Sequence, residues 1–110
     1  LNIQVGISHS NNNRAFYVEI LKEFADAYGQ SNELFTKLVR EHRYKQVEIL
    51  CLDMKGLTGA IGARDMHKLI NEIHQDIVYN KQELLPKYIE PYQKELYKLN
   101  ESIEHYIGVQ

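Results

Sequence analysis

The sequence is poor in the residues and apolar runs that mark several protein classes. It has no tryptophan, two prolines and a single cysteine among 110 residues. Because Cys51 has no cysteine to pair with inside the chain, the sequence predicts a protein of a reducing compartment such as the cytoplasm. No apolar run approaches the roughly 20 residues that a membrane-spanning helix needs, so we expect no membrane contact by this segment.

An excess of charge of one sign is also lacking. The 13 basic and 15 acidic residues leave a formal net charge of −2, which provides no basic field for nucleic acid or an anionic membrane. The sequence carries no phosphate-binding loop, metal-ligand motif or serine-type nucleophile pattern. We therefore expect no cofactor and no metal, and predict that this segment is not itself an enzyme.

The length and the amino terminus bound the organisation of the chain. A chain of 110 residues can bury the core of one domain but not of two. The opening segment Leu1–Gln4 has neither an initiator methionine nor the basic-then-apolar layout of a signal peptide. The sequence therefore predicts a segment of a longer protein.

What the chain does contain is a series of helical periods separated by short joins. Apolar residues at three- and four-residue spacing predict helices over Arg14–Tyr28, Asn32–Arg43, Tyr44–Thr58 and Arg64–Tyr79. The segment Leu1–Ile7 is expected to be a lead-in with one helical turn. Because short joins force neighbouring helices to run antiparallel, these elements predict an all-α fold, an up-and-down four-helix bundle.

Both prolines lie in the last quarter of the chain. Proline is tolerated in the first turn of a helix and disrupts its interior, so we predict a short turn over Leu84–Ile89 and a final helix from about Pro91. We expect an additional C-terminal helix that packs on the bundle, with a linker or dimerisation helix as the alternative. Its apolar residues follow alternating four- and three-residue steps, a seam for packing along another helix: Tyr92, Leu96, Leu99, Ile103 and Tyr106.

The helix predicted over Tyr44–Thr58 has an unusual outer face. Opposite its apolar stripe lie Leu52, Gly56 and Gly59 among charged residues. Glycine costs a helix interior roughly 1 kcal/mol relative to alanine, so two glycines near each other on one face need a reason. Absent side chains let another backbone approach closely; alternatively, the two glycines only fray the helix toward Gly62. The predicted stripe comprises Val47, Leu50, Cys51, Met54, Thr58 and Ile61.

The stretches Cys51–Gly56 and Ile61–Ala63 resemble the motif of histidine-containing phosphotransfer (HPt) domains, which carry a phosphoryl group between receiver domains in two-component relays. The family pattern is approximately Ala-His-x-Leu-Lys-Gly, a variable stretch, then Ile/Leu-Gly-Ala. The residues of this chain align with it without a gap, and Leu52 stands where the family has its phosphorylated histidine. The resemblance covers roughly residues 1–80 and leaves residues 81–110 as a C-terminal extension.

The resemblance implies a receiver domain of a response regulator or hybrid kinase as the partner. Because leucine has no lone pair, Leu52 cannot accept a phosphoryl group, and the implied function is protein interaction within a sensor or hybrid histidine kinase. Lys55 would face the acidic phosphorylation pocket of the partner. The docking residues implied by the resemblance are Ile49, Leu52, Lys55, Gly56 and Gly59.

Two other functions remain open at the level of sequence. His67 is the only histidine that an antiparallel hairpin would bring near the level of Lys55, so it is a candidate for a displaced phosphoacceptor. His74 lies about 10 Å from it along the helix axis, too far for the two to share one metal ion. The second alternative is a structural or dimerisation module in which Leu52 packs on a neighbouring domain.

Two further residues near Leu52 have simpler interpretations. Asp53 points sideways on the helical wheel and has no carboxylate partner nearby in the sequence. We expect it to be solvated or ion-paired. Cys51 lies on the apolar stripe, where it is expected to act as a small buried apolar group and not as a reactive thiolate.

Overall fold

The computed structural model describes residues 1–108, and every regular element in that range is helical, which confirms the all-α prediction. None of these helices is long and apolar enough to cross a membrane. The elements in chain order are α1 (Ile3–His9), α2 (Arg14–Tyr28), α3 (Ser31–Arg40), α4 (Tyr44–Ile61), α5 (Arg64–Val78), a 3-10 segment (Gln82–Tyr88) and α6 (Ile89–Gly108).

The helix α4 packs mainly against α1, α2, α3 and α5. The helix α5 follows after two residues and turns back along α4. The helix α6 contacts α2, α3, α5 and the 3-10 segment, and covers the core from the other side. The outer face of α4 is therefore left open between its neighbours.

Left-handed residues end both α3 and α4. The helix α3 ends at Arg40, three residues earlier than predicted, because His42 has a φ of 57°. The next amide, on Arg43, donates to the carbonyl of Leu38 at 2.9 Å. This is the hydrogen bond of a Schellman motif, which satisfies carbonyls at the end of a helix.

The end of α4 differs from the prediction. The helix continues to Ile61, so Gly59 lies inside it and the turn contracts to Gly62 and Ala63. Gly62 has a φ of +80°, a conformation that costs glycine no steric clash. The amide of Ala63 then donates to the carbonyl of Thr58 at 2.9 Å, which closes the helix in the same way as α3.

The amino-terminal segment forms more than the single helical turn expected. The helix α1 spans Ile3–His9 and packs on the C-terminal end of α4. A β-carbon on Gly6 would overlap the Tyr17 ring and would lie 2.6 Å from the carbonyl oxygen of Ile61. The Tyr17 hydroxyl donates to that same oxygen at 2.8 Å, and burial raises the pKa of Tyr17 to about 12. The absence of a side chain at Gly6 thus allows α1 to pack closely against Tyr17 and the end of α4.

The C-terminal helix is part of the main core. It begins at Ile89, so Pro91 falls in its first turn as predicted. The ring of Tyr92 stacks on Phe35 at 4.5 Å, and its hydroxyl is 2.7 Å from the hydroxyl of Ser31. The last two residues of the segment 81–110 lie outside the described residues. The five residues of the predicted apolar seam are all buried: Tyr92, Leu96, Leu99, Ile103 and Tyr106.

Candidate docking site

The outer face of α4 carries two large apolar side chains that the rest of the fold leaves uncovered. Ile49 and Leu52 are each 51% exposed, whereas Cys51 and Met54 are fully buried. Residues three apart are neighbours on a helix surface, so Ile49 and Leu52 form one small apolar patch. The helical wheel therefore placed Leu52 correctly on the outside.

Gly56 lies one turn beyond Leu52 and extends this patch as bare backbone. A β-carbon at Gly56 would meet no atom within 4 Å. No neighbour in the fold therefore requires glycine here, although glycine is unfavourable in a helix interior. The surface at this point is open to close approach by another molecule.

Gly59 has a different environment. A β-carbon there would lie 3.3 Å from Cε1 of His67, so the missing side chain makes room for an imidazole of the same chain. The Nδ1 atom of His67 is 3.0 Å from the Thr58 hydroxyl. His67 thus meets α4 at Thr58 and Gly59, about one turn past Lys55. A docking role for Gly59 stays a prediction.

The charges on the outer face of α4 are distributed unevenly. Lys45 is paired with Glu48 at 3.0 Å, while the exposed Lys55 has no ion-pair partner within residues 1–108. Its ammonium group is therefore available to an acidic surface. Surface pairs such as Lys45–Glu48 contribute about 1 kcal/mol or less.

Asp53 makes a contact that sequence reasoning missed. Its carboxylate accepts a hydrogen bond of 3.3 Å from the hydroxyl of Tyr28, which lies at the end of α2. Burial raises the pKa of Tyr28, and the charge of Asp53 and this hydrogen bond add to that increase. Tyr28 thereby connects α2 to the edge of the outer face of α4. A helical period cannot reveal a pair separated by 25 residues.

Cys51 lies directly beneath this face, and we expect its thiol to be unreactive in the folded chain. It is fully buried, and burial, with a smaller contribution from Glu48, raises its pKa from 9.0 to about 12. The thiolate is the reacting form, so at pH 8 the native chain should react with a thiol reagent about a thousandfold more slowly than the urea-unfolded chain. Equal labelling rates with and without urea would contradict this burial.

Within residues 1–108 no group of three or more histidine, cysteine, aspartate or glutamate side chains is placed to hold a metal ion.

Comparison of the chain with family models, curated proteins and solved structures found no match.

Proposed function

We propose that the chain is an HPt-like signalling module that has lost its phosphoacceptor and docks a receiver domain through α4. In this proposal residues 1–80 form the antiparallel HPt-like bundle, and residues 81–110 add a C-terminal helix to it. The docking residues are Ile49, Leu52, Lys55, Gly56 and Gly59. The host protein is a sensor or hybrid histidine kinase of the cytoplasm, in which this module holds a partner without receiving phosphate.

The observation that supports the proposal most directly is the open space at Gly56 beside the exposed side chain of Leu52. At Gly56 the chain keeps an unfavourable residue in a long helix, although a β-carbon would have free space there. The adjacent Leu52 and Ile49 are half exposed and would be desolvated by a partner, a favourable change of about 25 cal/mol per Å² of apolar surface. The unpaired ammonium of Lys55 complements an acidic partner and favours its approach.

The substitution Gly56→Arg tests docking through this face. An arginine at this position would project from the centre of the face and prevent close backbone approach. We expect it to weaken binding of a receiver domain by about a hundredfold or more, or about 3 kcal/mol. The measurement is isothermal titration of the chain with isolated receiver domains, taken one at a time from a panel until a binder is found.

A matched control is available on α6. A β-carbon on Gly108 also meets no atom within 4 Å, so Gly108→Arg introduces the same side chain and charge on another helix. This control should bind like the wild type. Neither variant should unfold below the wild-type temperature, since each side chain enters open space and arginine is a better helix former than glycine. If Gly56→Arg binds a receiver as tightly as Gly108→Arg does, the proposed docking face is wrong.

A second candidate function uses His67 as a displaced phosphoacceptor. The observation in its favour is the contact between Nδ1 of His67 and the Thr58 hydroxyl, which leaves the other ring nitrogen without a hydrogen bond inside residues 1–108. An oriented imidazole with an available nitrogen is a nucleophile. Phosphate on the wild-type chain that disappears in His67→Asn would favour this candidate over docking alone.

A further inference from the structure

The hydrogen bonds around Thr58 determine which nitrogen of His67 carries its proton. The Thr58 hydroxyl lies 2.7 Å from the carbonyl oxygen of Met54, its i−4 neighbour. A carbonyl oxygen only accepts, so the single hydroxyl proton must lie between these two atoms. The Thr58 oxygen can then only accept from His67, and Nδ1 of His67 must be the donor. In the neutral ring Nε2 therefore carries a lone pair.

The other side of the same ring faces away from these partners. Nε2 makes no hydrogen bond within residues 1–108, and it does not belong to the buried polar atoms that lack a partner. His67 itself is only half-buried. An acceptor with a fixed direction is thus accessible at the border of the docking face, next to Gly59.

We propose that His67 is a specificity-determining contact of the docking face, whose Nε2 accepts a hydrogen bond from a hydroxyl, amide or ammonium group of the receiver domain. This inference rests on the proposed docking function. Three features of the chain orient the ring before any partner arrives: the donor contact to Thr58, the space left by Gly59, and the rigid helix α5. A group that is already ordered loses little conformational entropy on binding.

Lys55 and His67 would then recognise different chemistry on one partner. Lys55 attracts a carboxylate, whereas a lone pair on Nε2 repels one and needs a donor. A receiver domain that presents an acidic group near Lys55 and a donor about one turn further along α4 would satisfy both. A receiver with a carboxylate at the second position would be rejected, because it leaves the acceptor unpaired in the interface.

Two substitutions of His67 separate this role from a purely structural one. In His67→Asn the amide nitrogen can replace Nδ1 and donate to Thr58, but nothing replaces Nε2. In His67→Gln the longer side chain can carry an acceptor to the place of Nε2 and leaves the Thr58 hydroxyl without its donor. We expect His67→Asn to keep the wild-type unfolding temperature and to bind the receiver about tenfold more weakly, while His67→Gln retains most of the affinity.

The tautomer can be measured without any partner. Long-range ¹H–¹⁵N correlation spectra of the imidazole should show Nδ1 protonated in the wild-type chain, and Thr58→Val should remove that preference. A wild-type ring protonated at Nε2 would overturn the inference. So would wild-type affinity in His67→Asn for a receiver that Gly56→Arg no longer binds. If Gly56→Arg also has no effect, the docking function itself has failed.

Discussion

Replacing Leu52 by histidine is expected to convert a chain that takes no phosphate at this position into a phosphoryl acceptor. The side chain at position 52 is half exposed, so an imidazole there would stay accessible. Lys55 and Gly56 follow at i+3 and i+4, the positions that neighbour it on the helix surface. The ammonium of Lys55 would balance the added charge, and bare Gly56 would let the donor approach.

The reaction expected of Leu52→His is transfer from a receiver domain phosphorylated on aspartate. The imidazole lone pair attacks phosphorus, the acyl phosphate P–O bond breaks, and its electron pair leaves with the aspartate carboxylate. We expect labelling to rise from background to roughly one phosphoryl group per chain, since one acceptor is added. The label should be acid-labile and base-stable, as a phosphoramidate is.

Controls separate this gain from other sites. Leu52→Gln has a polar side chain without the nucleophile and should stay at background, and adding Lys55→Ala to Leu52→His should slow the transfer. If the wild-type chain is labelled, the phosphoryl group is on another residue, for which His67 is the candidate. A folded Leu52→His variant that binds the donor receiver and still takes no label would contradict the assignment of Leu52 to the acceptor position.

The substitution Gly6→Ala is expected to destabilise the folded chain strongly. A β-carbon on Gly6 would overlap the buried ring of Tyr17 and the carbonyl oxygen of Ile61. That oxygen is a main-chain atom at the end of α4 and accepts a hydrogen bond from the Tyr17 hydroxyl, so moving it aside would disturb both. Overpacking costs about 1–3 kcal/mol, and the two overlaps at Gly6 place this substitution in the upper part of that range. For a chain of this size the unfolding temperature should fall by about 10 °C or more, measured by circular dichroism.

The same substitution elsewhere supplies the control. Gly56→Ala adds a methyl group in open space within a helix, so it should raise the free energy of unfolding by up to about 1 kcal/mol. The two alanine variants should therefore shift the unfolding temperature in opposite directions. Equal shifts in unfolding temperature, or a Gly6→Ala variant that unfolds at the wild-type temperature, would mean that α1 does not pack closely against Tyr17.

Much of the fold could be predicted because the apolar periods are local and strong. The bounds of α2 and the start of α4 were predicted correctly, and so was the first-turn position of Pro91 in α6. The errors lie where local chemistry competes with the period. The left-handed conformation of His42 ends α3 early. Glycine or asparagine, and not histidine, is the residue from which such a helix end is usually predicted. The helix α1 forms because it packs against α4, a tertiary contact that propensity does not contain.

The candidate site was predictable in part for the same reason. The exposure of Leu52 and the open space at Gly56 follow from their positions on the helical wheel, which the sequence provides. The position of the His67 ring beside Gly59 could not be predicted in this way, because it depends on the register of α5 against α4. The two glycines looked equivalent in the sequence. In the structure the space beside Gly56 is open, whereas the space beside Gly59 is occupied by the imidazole of His67.

The position of Tyr92 has a consequence for how the chain is made. Its ring lies against Phe35 and its hydroxyl against Ser31, so the last helix completes a core that the first helices begin. A nascent chain emerges from the ribosome amino terminus first. Until α6 has left the exit tunnel, Phe35 lacks its stacking partner, and the unfinished core remains exposed to chaperones and to other nascent chains.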